Sequence, residues 1–188
     1  MAERGRAAGA GVHDCLTRVT ISVTPVISVA SLKDARAITA LRVQVARGMT
    51  RDFGEGHWSA LPTLASVKRQ IRASHVLVAR QDDDIIGTVR LVVAQRLAID
   101  SESFSPVRTA LYVFGLAVAP EARKQGVGRA LMDAAKEKTR SWPAQALWLD
   151  AYEHRAGAGS FYLACGFRKV GPSAKAEVPV IFYEWLVD

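Results

Sequence analysis

Arg123, Lys124, Gly126, Gly128 and Arg129 are the residues whose types and spacing most plainly carry chemistry. They follow an apolar, β-branched run, Leu111 to Val118. A turn at Ala119-Pro120 ends that run, because proline offers no ladder N–H and fixes φ. Beyond the glycines, Val127, Ala130, Leu131, Ala134 and Ala135 recur at helical spacing, while Lys136, Glu137, Lys138 and Arg140 fall mainly on the other faces. The order is strand, basic glycine-bearing loop, helix. The first turn of a helix presents backbone N–H groups without intrahelical partners, at the positive end of the macrodipole. Glycines remove the Cβ atoms that would hold an anion off those donors, and the three cations add charge around the same point. The pattern predicts a cradle for a phosphate or pyrophosphate.

Two common phosphate motifs do not fit. A P-loop needs Gly-Lys-Ser/Thr, and Gly128 is followed by Arg129-Ala130; a dinucleotide fingerprint needs a third glycine where this chain has Leu131. What fits is Arg-x-x-Gly-x-Gly, Arg123 to Gly128, directly after Leu116-Ala-Val-Ala-Pro120. This closely resembles the acyl-CoA-binding motif of the GNAT-type N-acetyltransferase superfamily. One helix, one strand and a loop downstream, Ser160-Phe-Tyr-Leu-Ala-Cys-Gly-Phe167 is similar to the F-Y-x-x-x-G-F signature that closes the CoA site of that family. Two motifs, each weak alone, stand in the right order with the right elements between them. In one place the chain departs from the pattern: Arg155 stands where the family usually has an asparagine ahead of the tyrosine, which puts the usual polar contact to the pantetheine arm in doubt.

The resemblance implies acetyl-CoA as co-substrate, no metal, and direct acyl transfer to a primary amine through a ternary complex. It implies CoA contacts from Leu116, Ala117, Val118, Arg123, Lys124, Gln125, Gly126, Val127, Gly128 and Arg129. Transfer from a thioester to an amine needs a neutral amine, a polarised carbonyl and a protonated leaving thiolate. Backbone N–H groups where the strand of Leu116 and Val118 splays from that of Leu149 would hold the carbonyl. Tyr162 takes the general-acid role through the motif, a role that suits a phenol keeping its proton at neutral pH. The base is open among Glu102, Tyr112, Asp150 and Glu153, none of which has a motif behind it. Cys165 is a thiol that a thioester could acylate, but no histidine adjoins it in sequence to activate it. His75 is a lone histidine beside an apolar strand, with no second ligand at metal spacing.

The elements that must position these groups read as one domain over residues 19–188, after a flexible lead-in over residues 1–18. Val19 to Val29 is a first strand, with a break at Pro25. Ser31 caps a helix to about Arg47, in which Leu32, Ala35, Ile38, Leu41, Arg42 and Val45 recur at helical spacing. Gly48 to Leu61 reads as a long loop, and Pro62 to Ala73 as a second helix. His75 to Arg80 and Ile85 to Ala94 form an antiparallel hairpin around Gln81-Asp-Asp-Asp84; Arg96 to Thr109 is an irregular connection. The motif helix runs to about Arg140, before Trp142-Pro143. Ala146 to Ala151 is a strand, parallel to its predecessor because a whole helix lies between them. A short helix from Phe161 ends at Gly166, Val170 to Ala176 is a loop or bent strand, and Val178 to Leu186 is a last strand. The order β-α-α-β-β-β-α-β-α-β is an α/β (α+β) arrangement. It fits the acyl-CoA N-acyltransferase fold, a mixed, mostly antiparallel sheet flanked by about four helices.

The 188 residues suffice to bury a core, and 49% of them are hydrophobic, as in an ordinary globular protein. No apolar run approaches the ~20 residues of a membrane span, and the start has no signal-peptide core, so the expectation is a cytoplasmic protein away from membranes. Cys15 and Cys165 make no disulfide framework. Lys and Arg number 25 against 18 Asp and Glu, a net +7. The arginines are spread without a dense run or interleaved aromatics; an anionic CoA-type ligand and general solubility account for the excess as well as nucleic acid does, and nucleic acid is the minority reading. The family places the first two helices and their connection beside the acceptor channel; here that connection offers Asp52, Glu55, His57 and Trp58. The two carboxylates would attract a cationic amine, and Trp58 would either cover its apolar part or pin the loop to the core. The leading class is an acyl-CoA-dependent N-acetyltransferase acting on a small-molecule or peptide amine. The alternative is a non-catalytic acyl-CoA-binding domain that senses the cofactor; an RNA or ribosomal acceptor rests on charge alone, and a homodimer stays open.

Overall fold

Serine at position 31 does start the first helical segment. Its hydroxyl accepts from the Lys33 N–H at 3.3 Å while its own N–H donates to Asp34 Oδ2 at 2.7 Å, a reciprocal cap. The computed structural model describes residues 24–97, 101–173 and 179–187. The lead-in over 1–18, Cys15 and the first residues of the expected opening strand lie outside the described residues. A 3₁₀ turn, Leu32–Asp34, leads into α1, Ala35–Phe53. This corrects the sequence reading, which stopped the helix at Gly48. A single glycine costs a helix about 1 kcal/mol against alanine. Met49 and Phe53 continue the spacing of Val45, so the apolar face carries the helix through. It ends at Gly54, whose φ of 81° is open to glycine at little cost.

The remaining elements are α2 (Leu64–Ala73), capped by Thr63, β1 (Val26–Val29), β2 (His75–Gln81), β3 (Asp84–Val93), β4 (Ala110–Val118), α3 (Val127–Ser141), β5 (Ala146–Tyr152), α4 (Gly159–Ala164), β6 (Arg168–Pro172) and β7 (Val180–Leu186). They make one seven-stranded sheet in the order β1-β2-β3-β4-β5-β7-β6. Every pairing is antiparallel except β4 with β5, which is parallel as expected across a helical crossover. Strand β6 is absent from the expected element order, in which Val170 to Ala176 is a loop or bent strand; among the described residues it is a short edge strand ending in proline and paired with β7. Among the described residues no helix is long and apolar enough to cross a membrane.

Alternation along the strands divides the sheet between two helical layers. Leu77 and Ala79 of β2, Val89 and Leu91 of β3, Leu111 and Val113 of β4, and Leu147 and Leu149 of β5 pack with Val127, Leu131, Met132 and Ala135 of α3. On the opposite face Val76 and Val78 pack with Ala35 and Ile38 of α1 and Val67 of α2. Further along that face the irregular connection is pinned down. Phe104 stacks on Trp148 at 4.3 Å, and the fully buried Glu184 accepts from Ser105 N–H (3.0 Å) and Oγ (2.9 Å) and pairs with Arg168. Helix α3 lies so close to β3 that a Cβ on Gly87 would stand 2.9 Å from Leu131 Cδ1 and 2.9 Å from Val127 Cγ1. Gly87→Ala is therefore expected to destabilise the fold by about 1–3 kcal/mol, as overpacking does. Thermal denaturation should show a melting temperature lowered by roughly 2–4 °C for each kcal/mol.

Two irregularities of β4 shape the site. Its parallel pairing with β5 stops after Tyr112↔Trp148, so the two strands part beyond that point. The β3–β4 register also shifts between Arg90↔Phe114 and Thr88↔Ala117, where Gly115 takes a φ of 58°. This is a bulge, and it re-aims the backbone around Leu116.

Candidate active site

The parted strands open a cavity of about 1010 Å³ that runs from the N-terminus of α3 to the C-terminal half of α1. At the α3 end the sequence-predicted cradle is assembled. Leu116, Ala117, Val118, Arg123, Lys124, Gly126, Gly128 and Arg129 all line the cavity. Lys124 (φ 61°) and Gly126 (φ 84°) both turn left-handed, and Gly126 is the N-cap of α3. The first helical bond is from Ala130 N–H to Gly126 O, which leaves the N–H groups of Val127, Gly128 and Arg129 without intrahelical partners. A Cβ on Gly126 would meet nothing within 4 Å beyond its chain neighbours, and both Gly126 and Gly128 line the cavity. Gly128 is packed more closely: its Cβ would lie 3.2 Å from the Phe161 ring.

Three of the expected contacts are more constrained. Val127 is buried in the α3 layer, and the Gln125 side chain donates to Glu121 O at 2.7 Å; neither lines the cavity. Arg129 reaches the cavity, yet its Nη1 donates to Ala164 O at 2.6 Å and its Nε lies 3.5 Å from Asp133, which ties it to the end of α4.

Asp150, Tyr152 and Tyr162 line the cavity, and a third phenol, Tyr112, reaches Asp150 from outside the lining. Tyr162 is buried against Phe161, Phe167 and Tyr183, and burial first, then the charge of Asp150, holds its hydroxyl well above the usual phenol range. Tyr112 donates to Asp150 Oδ1 at 2.6 Å. Burial and the same carboxylate push Tyr112 up too, so it stays a donor. Tyr152 is raised by burial and Asp150 in turn. Of the four candidate bases, the structure brings Tyr112 and Asp150 together, and only Asp150 lines the cavity. Glu102, in a 3₁₀ turn, and Glu153 are exposed and stand outside it. Cys165 is buried, does not line the cavity, and burial raises its thiol. Burial, and then the charge of Lys138, lowers His75. Among the described residues no group of three or more His, Cys, Asp or Glu could hold a metal ion.

The other end is built by Arg42, Val45, Ala46 and Met49 of α1, by His57 and Trp58, and by Phe114 and Tyr152. Trp58 donates to Gly54 O at 3.0 Å, stacks on His154 at 5.5 Å and meets Tyr152 edge-on at 5.6 Å. This clasp joins the end of α1 to the loop after β5. Asp52 and Glu55 are exposed and absent from the lining; Asp52, on the last turn of α1, accepts from its neighbour Arg51 at 2.8 Å. Arg155, at the position of the family's asparagine, is exposed, with its guanidinium 5.6 Å from the Phe53 ring. Sequence reasoning missed Arg42 and Met49 as site residues. The signal for Arg42 was present: an arginine among the apolar positions of α1.

A helix N-terminus with unpaired donors, a strand bulge and a gap between two parallel strands thus meet along one cleft. The family model for the Acetyltransferase (GNAT) family matches residues 44–167, and the chain belongs to that family. No curated protein matches the chain. Among solved structures it is similar to ribosomal-protein-alanine N-acetyltransferase from Brucella melitensis, at 18% identity and TM-score 0.65, covering 86% of this chain and 99% of that one. PaiA N-acetyltransferase from Thermoplasma acidophilum in complex with coenzyme A matches at 14% identity and TM-score 0.68, over 88% and 100%. The structure of yncA from Salmonella typhimurium with its cofactor acetyl-CoA matches at 16% identity and TM-score 0.64, over 88% and 95%. At these identities the likeness is one of fold.

Proposed function

We propose that this chain is an acetyl-CoA-dependent N-acetyltransferase that moves the acetyl group directly to an amine held in the same cavity. One observation carries this reading: a single cavity is lined by the α3 cradle, by Asp150 and Tyr162, and by the α1 and Trp58 residues that would receive the acceptor. The residues present fit acetyl-CoA, since open N–H donors and left-handed glycine backbone stand where its pyrophosphate would approach. When bound, acetyl-CoA supplies the activated acyl carbon and a thiol leaving group. N–H groups on the free edge of β4 beyond Tyr112 stabilise the negative charge that develops on the carbonyl oxygen. Asp150, oriented by Tyr112, takes a proton from the bound acceptor's ammonium, directly or through water, and the neutral amine so formed attacks the thioester carbonyl. As the C–S bond breaks, Tyr162 donates its proton toward the departing sulfur.

Thiol release from acetyl-CoA across a panel of small amines, amino acids and N-terminal peptides tests the activity. The reading expects turnover with at least one amine. Tight CoA binding with no turnover would instead leave the chain a cofactor-sensing domain. With an active amine in hand, Asp150→Asn should lower kcat by ~10²-fold or more, because a positioned base contributes that much, with the Kd for CoA little changed. Unchanged kcat, with chemistry rate-limiting, would take the base role away from Asp150.

A further inference from the structure

Arg42 is a half-buried arginine with most of its guanidinium donors shielded and unused. Nη1 donates to Gln70 Oε1 of α2 at 2.6 Å, but Nε and Nη2 are shielded from water and have no hydrogen-bond partner. A buried polar atom without a partner costs free energy, and a buried charge costs more, so such groups in a native fold call for a reason. The surroundings deepen the cost. Arg90 of β3 lies near enough for its charge to act with burial in lowering Arg42 to about 10, which still leaves Arg42 cationic at neutral pH. Arg90 is itself half-buried, over the Phe114 ring at 4.7 Å. Neither arginine pairs with a carboxylate among the described residues.

The unused edge has a shape. Nε–H and one Nη–H of a guanidinium point the same way, as the parallel pair that grips both oxygens of a carboxylate. The guanidinium faces the β4 bulge: Cζ and Nη2 stand 3.7 Å from where a Gly115 Cβ would be. That glycine lines the cavity on the acceptor side of Leu116, away from the α3 cradle, so the pyrophosphate is not the missing anion.

We propose that Arg42, supported by Arg90, binds a carboxylate of the acceptor, so that the amine acetylated here belongs to an amino carboxylate. The carboxylate enters past the bare backbone of Gly115 and meets the Nε/Nη2 edge as the guanidinium turns about its Gln70 bond. Val45, Met49, Trp58 and Tyr152 then form the wall for an apolar side chain. The proposal rests on the N-acetyltransferase reading for the identity of the nucleophile but not for carboxylate binding itself.

The test uses the full chain and pairs of acceptors that differ only in charge: leucine, methionine and phenylalanine against their carboxamides. In thiol release, each free acid is expected to exceed its amide by roughly 10–100-fold in kcat/KM, the range of a charge-assisted pair. Arg42→Gln, and Arg42→Lys, which keeps the charge but loses the fork, should bring the two near parity, mainly through KM. Equal rates for acid and amide in the wild type, or a preference that survives Arg42→Gln, would overturn the proposal. If no amine releases thiol, the transferase reading fails, and calorimetry with phenylalanine and CoA still decides this one. Saturable binding lost in Arg42→Gln supports it, and no binding, or binding that Arg42→Gln leaves intact, refutes it.

Discussion

Gly126→Asp abolishes acetyl-CoA binding while the chain stays folded: that is the expected result with the largest effect. The substituted side chain enters open space, since no atom lies within 4 Å of the position its Cβ would take. The φ of 84° strains any side chain, by roughly 1–2 kcal/mol, and aspartate is among those that tolerate it best. A carboxylate beside a helix N-terminus is also favoured by the macrodipole. The damage is thus directed at the ligand: a fixed carboxylate occupies the donors and repels the pyrophosphate. Calorimetry should find the CoA Kd raised ~10²-fold or more, and Gly126→Asn, without the charge, should lose less. Gly128→Asp is a less clean variant because it must also displace the Phe161 ring. Unchanged affinity in a folded Gly126→Asp protein would mean that the α3 N-terminus is not the phosphate site.

Tyr162→Phe is the second. The ring stays packed against Phe161, Phe167 and Tyr183, and only the proton is lost. A fall in kcat of ~10²-fold or more is expected, with acetyl-CoA affinity nearly unchanged. The pH dependence has a definite sign. Burial and Asp150 raise Tyr162, so it is protonated throughout the range below the usual phenol value of about 10. Loss of its proton therefore contributes no alkaline decline in kcat below about pH 10. A phenol held this high is a weak acid, so the donation accompanies C–S cleavage instead of preceding it. Full turnover in the phenylalanine variant, with chemistry rate-limiting, would pass the acid role to water.

What was legible in the chain was what depends on neighbours in sequence. The cradle is written in six consecutive residues, Arg123 to Gly128, and the parallel strand pair follows from the helix between its members. Tyr162 was singled out by its motif, and it lies on the cavity wall. Features set by register and tertiary packing were not. The Tyr112–Asp150 bond requires the alignment of β4 on β5, and four acids and phenols looked alike before it was known. Gly48 looked like a stop, but the apolar face running through Met49 and Phe53 overrode its propensity, turning the first part of the expected loop, through Phe53, into helix and moving Asp52 onto it. The lone Gly115 within a strand is the kind of residue that marks a bulge, and its place beside Arg42 emerges only once α1 is laid across the sheet.

Initial-rate kinetics with both acetyl-CoA and an active amine varied test the central claim most directly, because direct transfer requires both to occupy the one cavity at once. Double-reciprocal plots should intersect, and the protein recovered after incubation with acetyl-CoA alone should carry no added acetyl mass. Parallel lines, with an acetyl group found on Cys165 or any other side chain, would contradict direct transfer and place a covalent acyl-enzyme between the two substrates.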